Sequence, residues 1–272
     1  MKYHHLHLTL LLFLTGWITN VQSQDSIPAH DSLKLNSVLV GEIRTINVWT
    51  PPGYSDSTDA FPVMYMPDGG IKEDFPHIAN TMSELIRKGS IPPMILVGIE
   101  NTQRRRDLTG PTEVEKDKKI APVVGGSEKF RAFISEELFP EINKRYRTTD
   151  AKGIIGESVA GLFIVETFFI EPDMFDYYIA MDPSLWWNDH ELVRNAKDYL
   201  VKMPSKEKRF WFAGSDAKDI SKHTKDLAEI LEAEKPLNLI WKYSPEPNEQ
   251  HSTIYRATKE KALVWMFSGV TD

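Results

Sequence analysis

Ser158 is the residue whose surroundings most clearly suggest chemistry. It lies in the segment Gly-Ile-Ile-Gly-Glu-Ser-Val-Ala-Gly at residues 153–161, after a β-branched run and before an apolar, helix-like stretch. Small neighbours such as Gly156 and Gly161 allow the strained backbone that exposes a serine on a strand-to-helix turn. In this context we favour a nucleophile over a junction in which Gly and Ser serve only the turn.

A serine nucleophile needs a base, and His251 is the histidine whose position fits best. It lies in a polar loop between the last predicted strand and the last predicted helix. Serines on such turns have their histidine downstream, after the acid, which matches this order. Of the remaining histidines outside the N-terminal segment, His77 and His223 better suit structural or surface roles. His190 could cap a helix or line a pocket, and His30 precedes the predicted fold.

The carboxylate that would orient His251 is less clearly determined. We choose Asp216, because it lies in the loop after the penultimate predicted strand. Asp216 or its neighbour Asp219 could instead cap the following helix. Asp182, after the predicted strand 177–181, could also reach across, and Glu249 lies close to His251 in the sequence.

Acyl transfer also needs two N–H groups that face the developing negative charge. One would come from Val159, the residue after the serine. The other would come from Gly70, in the Pro-Asp-Gly-Gly turn at residues 67–70, where glycine allows close backbone approach. A simple glycine-rich turn is the alternative for Gly70.

Two further groups are candidates for substrate binding. Trp186 and Trp187 could line an aromatic or acyl pocket, or simply fill the core. Arg104 and Arg106 belong to the tightest basic run of the chain, and could pair with a carboxylate or catecholate of the substrate. The alternative for these arginines is a solvated loop.

Alternating strands and helices would position these residues. From residue 61 onward, apolar strand-like runs alternate with amphipathic segments, which predicts an α/β fold with a mainly parallel sheet and helices on both faces. Ligands bind at the carboxyl ends of such strands. Residues 37–50 predict an antiparallel hairpin or two short strands. Residues 101–127 form a long polar loop, which indicates a functional or mobile segment.

The N-terminus has the features of a secretory signal peptide. Lys2 is followed by an apolar run at residues 8–18 and by small residues that end at Ser23. A membrane anchor is the alternative, but a spanning helix needs about 20 apolar residues. We therefore predict a signal peptide at residues 1–23, a single domain at residues 24–272, and a periplasmic or secreted protein without membrane attachment after cleavage.

Composition narrows the possible partners. The formal net charge of −7 argues against nucleic acid as the main partner, because phosphate binding needs basic surface. Cysteine is absent, so stability must come from the core and not from disulfides. Serine chemistry of this kind needs no metal and no organic cofactor. The expected partner is a small-molecule or glycan-linked ester.

Several blocks together resemble the Putative esterase family of α/β-hydrolases, which includes esterase D, ferric-enterobactin esterases and mycolyltransferases. The closest similarity is to the periplasmic siderophore-esterase-like branch, and it runs from about Ser37 to the last helix. The blocks are FPVMYMPDGG (61–70), NTQRRRDLTG (101–110), GGSEKFRAFISEELFPEINKRYRT (125–148), GIIGESVAGLF (153–163) and DPSLWWND (182–189).

The resemblance implies an α/β-hydrolase fold and ester hydrolysis through an acyl-enzyme, on a siderophore-type or polysaccharide-linked ester. It assigns the nucleophile to Ser158, the base to His251 and the oxyanion donors to Gly70 and Val159. A non-catalytic binding protein and an acyltransferase are the alternatives.

This sequence departs from the family pattern at two positions. Glu157 stands where relatives often have histidine before the serine. Ala217 stands where many relatives place the acid, and some siderophore-esterase-like members are described as serine–histidine dyads. A dyad is therefore a further alternative for this chain.

Overall fold

A computed structural model describes residues 25–269, so the predicted signal peptide at residues 1–23 lies outside the described residues. Eight strands form one sheet in the order β1-β2-β4-β3-β5-β6-β7-β8. The strands are β1 Asp31–Ser37, β2 Glu42–Trp49, β3 Phe61–Pro67, β4 Ile95–Ile99, β5 Thr148–Glu157, β6 Tyr177–Met181, β7 Lys208–Gly214 and β8 Leu239–Pro245. β1, β2 and β4 pair antiparallel, and β4, β3 and β5 to β8 pair parallel. The mainly parallel sheet predicted from the alternation is confirmed.

Ten α-helices connect or follow these strands within the described residues. They are α1 Phe75–Arg87, α2 Arg104–Leu108, α3 Glu115–Lys118, α4 Ser127–Ala132, α5 Phe139–Arg145, α6 Val159–Ile170, α7 Trp187–Arg194, α8 Ala196–Leu200, α9 Lys218–Glu234 and α10 Ile254–Phe267. A π-helical segment at Phe133–Leu138 joins α4 to α5. None of the helices within residues 25–269 combines the length and apolar character that crossing a bilayer demands.

The sheet separates two apolar cores. Successive side chains of a strand point to opposite faces, so Met64 and Tyr65 of β3 enter different cores. α1 and α10 cover one face, and α4, α6 and α9 cover the other. α6 is apolar on all sides and buried along almost its whole length, as expected for a helix enclosed by other elements.

Two segments differ from the sequence-based expectation. β1 begins at Asp31, upstream of the hairpin or strands predicted at residues 37–50, because Leu33 and Leu35 pack against the core while the alternate residues face solvent. The long loop at residues 101–127 contains the short helices α2 and α3. Non-local ion pairs hold α2 in place: the fully buried Arg44 of β2 contacts Asp107 at 2.7 Å.

Candidate active site

Ser158 occupies a strained turn between β5 and α6. Its φ is 60° and its ψ is −117°, a backbone conformation that is uncommon for a residue with a side chain. Its N–H donates to the Met181 carbonyl at 2.9 Å, and its own carbonyl accepts from Leu162 at 2.9 Å. The turn therefore joins the end of β6 to the first turn of α6 and presents the hydroxyl at the carboxyl edge of the sheet.

Glycines on either side of Ser158 permit this close packing. A Cβ at position 156 would lie 2.8 Å from the Cβ of Ala160. A Cβ at position 161 would lie 3.0 Å from the Met181 carbonyl oxygen and from the Cα of Pro183. The small residues that indicated the turn in the sequence are thus required by the approach of α6 to β5 and β6.

The structure brings Ser158 and His251 together, as the sequence predicts. Ser158 Oγ lies 3.1 Å from His251 Nε2, and His251 Nδ1 lies 2.6 Å from Asp182 Oδ2. With the Nδ1 proton donated to Asp182, Nε2 is left to accept the serine proton. The geometry is that of a Ser–His–Asp triad in which the acid orients the base.

The prediction of Asp216 as the orienting acid is corrected to Asp182. Asp182 follows β6, is fully buried and receives 2.6 Å and 2.8 Å hydrogen bonds from the N–H and hydroxyl of Ser215. The side chain of Asp216 is exposed, and its N–H donates to the Glu249 carbonyl at 2.9 Å. The loop after β7 therefore supports the acid through Ser215 but does not supply it.

Asp182 also sets the basicity of His251. The hydrogen bond from the imidazole to Asp182 raises the pKa of His251 above 6.5, against the opposing effect of partial burial. The nearby Glu157 carboxylate raises this pKa further. Both negative charges favour the imidazolium, which is the form that a general base reaches after it has taken a proton.

The predicted oxyanion donors differ in availability. Val159 is the first residue of α6, so its N–H has no acceptor within the helix. Gly70 is not a free donor as predicted, because its N–H already donates to Glu73 Oε2 at 2.7 Å. An oxyanion could use Gly70 only if it displaced the Glu73 carboxylate.

The two predicted substrate-binding arginines are engaged within the protein. Arg104 makes a two-pronged ion pair with Asp68, at 2.6 Å and 2.7 Å. Arg106 contacts Glu42 at 2.7 Å and Asp107 at 2.7 Å. Both guanidinium groups therefore stabilise α2, and their binding of substrate stays a prediction.

The two predicted tryptophans lie at the start of α7 in different environments. Trp187 is buried, and its indole N–H donates to the Gly110 carbonyl at 2.9 Å. It lines a cavity of about 280 Å³ together with Leu162, one helical turn beyond Ser158. Trp186 is partly buried and packs against the core. This cavity contains none of Ser158, Asp182 and His251, so the role of the two tryptophans in substrate binding stays a prediction.

Asp182 and Ser215 are the site residues that the sequence prediction missed or ranked too low. Asp182 has a φ of 46°, an uncommon value for a residue with a side chain, at the carboxyl end of β6. Its position directly after a buried strand and before Pro183 was the available signal. Ser215 carried no such signal, because a serine after a strand commonly serves a turn.

Comparison with known proteins agrees with this geometry. The family model described as "Putative esterase" matches residues 37–263. Ferri-bacillibactin esterase BesA of Bacillus subtilis is 31% identical over 186 residues, which cover 61% of this chain and 62% of that protein. A siderophore triacetylfusarinine C esterase of Aspergillus fumigatus is 35% identical over 102 residues, or 36% of this chain and 33% of that protein. The alignments thus span less than two thirds of these relatives.

The solved structures extend the likeness to almost the whole chain. An IroE-like serine hydrolase of Shewanella oneidensis superimposes with a TM-score of 0.79 at 28% identity, and the match covers 88% of this chain and 80% of that one. The α/β-hydrolase fold expected from the sequence is thereby confirmed. The chain belongs to the Putative esterase family of α/β-hydrolases, in the group that resembles enterobactin esterases.

Proposed function

We propose that the protein is an exported serine esterase that hydrolyses a siderophore-type carboxylic ester through an acyl-enzyme. The observation that carries the proposal is the 3.1 Å contact between Ser158 Oγ and His251 Nε2, with Asp182 at 2.6 Å from the other imidazole nitrogen. Such an arrangement activates a serine hydroxyl for attack on a carbonyl.

In acylation, His251 Nε2 takes the proton of Ser158 as the serine oxygen attacks the ester carbonyl. The N–H of Val159 donates to the oxygen of the tetrahedral intermediate, which carries the negative charge. His251 then gives its proton to the departing alcohol, and the acyl group remains on Ser158. In deacylation, His251 takes a proton from water as the water oxygen attacks the acyl carbonyl. His251 then returns this proton to the Ser158 oxygen as the C–O bond to the serine breaks, and the acid is released.

Support for the substrate class comes from the relatives. Both are named as esterases of siderophores, one of ferri-bacillibactin and one of triacetylfusarinine C. The cavity that contains Trp187 runs along α6 past Leu162 and Glu166, and its lining includes none of Ser158, Asp182 and His251. The cavity therefore does not enter the argument for the substrate.

Replacement of Ser158 by alanine tests the proposal. Turnover of a p-nitrophenyl short-chain ester and of a trilactone siderophore should fall by roughly a million-fold, because the nucleophile is lost. A fluorophosphonate should label the wild-type protein at Ser158 and leave Ser158→Ala unmodified. Circular dichroism and the melting temperature of the variant should match those of the wild type.

Each alternative function gives a different result in the same assays. A binding protein without catalysis would take up no fluorophosphonate and would not cleave either ester. An acyltransferase would convert an added alcohol into a new ester in preference to releasing the free acid. Either result would overturn the assignment as a hydrolase.

A further inference from the structure

Glu157 is an acidic residue that immediately precedes the nucleophile in the sequence, and the mechanism above does not use it. It ends β5, immediately before Ser158, and its side chain is only partly exposed. Its backbone carbonyl lies 3.5 Å from Arg104 Nη2. Within residues 25–269, no hydrogen bond or ion pair to its carboxylate is formed. The carboxylate therefore stands unneutralised beside the reacting serine.

The charges around Glu157 do not cancel its own. Asp74 before α1, Asp182 after β6, Arg104 of α2 and His251 before α10 are the charged groups that act on it. Arg104 donates through Nε and Nη2 to the Asp68 carboxylate after β3, so this ion pair already engages its charge.

The remaining neighbours do not neutralise it either. Asp74 is itself a carboxylate and contacts His77 at 3.0 Å. His251 is the other possible cation, and its Nδ1 is already engaged by Asp182 at 2.6 Å. Tyr255 of α10 is a buried, neutral phenol whose pKa is raised mainly by burial and also by the Glu157 charge, so it supplies no positive charge. The carboxylates of Glu157, Asp74 and Asp182 thus outnumber Arg104, the permanent cation among the groups that act at this position.

We propose that Glu157 determines which substrate charge the site accepts: it favours esters that carry a cationic or neutral group near the scissile carbonyl and disfavours those that carry an anionic group. The inference rests on the proposed esterase function and adds the charge class of the substrate. A fixed negative charge attracts a cation and repels an anion in both the bound and the transition state, and partial burial reduces the screening by salt.

The preference should depend on pH. Burial raises the pKa of Glu157 to about 7. The positive charge of His251 has the next largest effect and opposes this rise. The carboxyl group is therefore neutral well below this pH and negative above it. Discrimination between cationic and anionic esters should be weak near pH 6 and strong near pH 8, about one unit on either side of that pKa.

The test uses three p-nitrophenyl esters that share one acyl chain. The chain ends in a neutral tert-butyl group, a cationic trimethylammonium group or an anionic sulfonate group, none of which titrates in the assay range. kcat/KM is measured for the wild type, Glu157→Gln, Glu157→Asp and a control, Glu232→Gln. Glu232 is exposed near the far end of α9, so the control removes one charge away from the site.

The proposal predicts that Glu157→Gln lowers the cationic-to-anionic ratio of kcat/KM by about a hundredfold near pH 8. Unit charges about 10 Å apart near a protein surface change each rate by roughly tenfold, and the cationic and anionic esters change in opposite directions. Near pH 6 the wild type and Glu157→Gln should converge. Glu157→Asp should keep the wild-type preference, and Glu232→Gln should not alter it.

Three results would overturn the inference. The first is a ratio that Glu157→Gln leaves unchanged, and the second is an equal effect of Glu232→Gln. In both cases turnover of the neutral ester shows that the esterase function itself stands. The third is a wild-type protein that cleaves none of the three esters and takes up no fluorophosphonate, which removes the proposed function as well.

Discussion

At the scale of single residues, the site depends on three polar residues whose backbone has a positive φ. Asp68, Ser158 and Asp182 follow β3, β5 and β6, and each has a φ between 46° and 60°. Such values cost free energy for residues other than glycine, so they persist only where the surroundings enforce them. Here they turn a carboxylate or a hydroxyl back across the ends of the strands, where Arg104 and His251 meet them.

Replacement of Asp182 by asparagine separates the observed acid from the predicted one. Asp182→Asn should lower kcat by about 10⁴, because the amide favours the wrong imidazole tautomer and no longer stabilises the imidazolium. The pKa of His251 should also fall, so the acidic limb of the kcat/KM profile should move to lower pH. Full kinetics against pH with a p-nitrophenyl ester measure both effects.

Asp216→Asn is the matched control for this experiment. Its exposed side chain makes no contact with His251, so kcat should stay within about twofold of the wild-type value, as for most surface substitutions. A large loss in Asp216→Asn together with near-normal activity in Asp182→Asn would restore the sequence-based assignment and contradict the observed geometry.

The sequence could identify the serine and the histidine but not the acid. Ser158 had a local signal, since Gly156 and Gly161 flank it at the end of an apolar run. His251 followed from chain order. The acid that orients the histidine is the one whose strand end lies next to it. Asp182 and Asp216 follow adjacent strands of the sheet, so both were candidates. Local sequence could not distinguish the two, because the choice depends on the path of both loops.

At the scale of elements, α2 is attached mainly by charge. The helix has only five residues, and its polar side chains gave no apolar periodicity from which it could be predicted. Asp107 lies between Arg44 of β2 and Arg106, and Arg106 also reaches Glu42. The sequence suggested that Arg104 and Arg106 bind substrate because these distant partners cannot be inferred from a basic run.

Asp107→Asn should therefore destabilise the fold markedly. It leaves the fully buried Arg44 with Glu42 as its remaining ion-pair partner, and the loss of one carboxylate from a buried ion pair costs about 3 kcal/mol or more. Asp226→Asn, which breaks the exposed ion pair with Lys222, should cost less than about 1 kcal/mol. Urea unfolding measures both, and equal losses would show that the buried network does not dominate the attachment of α2.

At the scale of the whole molecule, the fold was the most predictable property. Alternation of apolar runs and amphipathic segments predicted the parallel strands from β3 onward, because each element buries a face with its own period. β1 was missed since its outer residues are polar and its pairing with β2 sets its position. The two apolar cores need no disulfide, which agrees with a chain that contains no cysteine.

Export remains a prediction about the whole chain. The mature protein should begin at Gln24, because the predicted cleavage site follows Ser23. Mass spectrometry of the exported protein would establish this N-terminus. Leu12→Arg, which places a charge inside the apolar run, should keep the protein unprocessed in the cell, while Asn20→Gln outside that run should not. Secretion of intact Leu12→Arg protein would contradict the assignment.

Because Asp182 follows β6, the loop after β6 supplies the orienting acid and the loop after β7 only supports it. The loop after β7 contributes Ser215 to the acid, and the exposed side chains of Asp216 and Asp219 take no part in the hydrogen bonds that orient His251. These two positions can therefore accumulate substitutions while the orienting carboxylate stays intact. The exposed side chains of the loop after β7 can thus change without rebuilding the catalytic geometry, whereas the loop after β8 carries His251 and cannot.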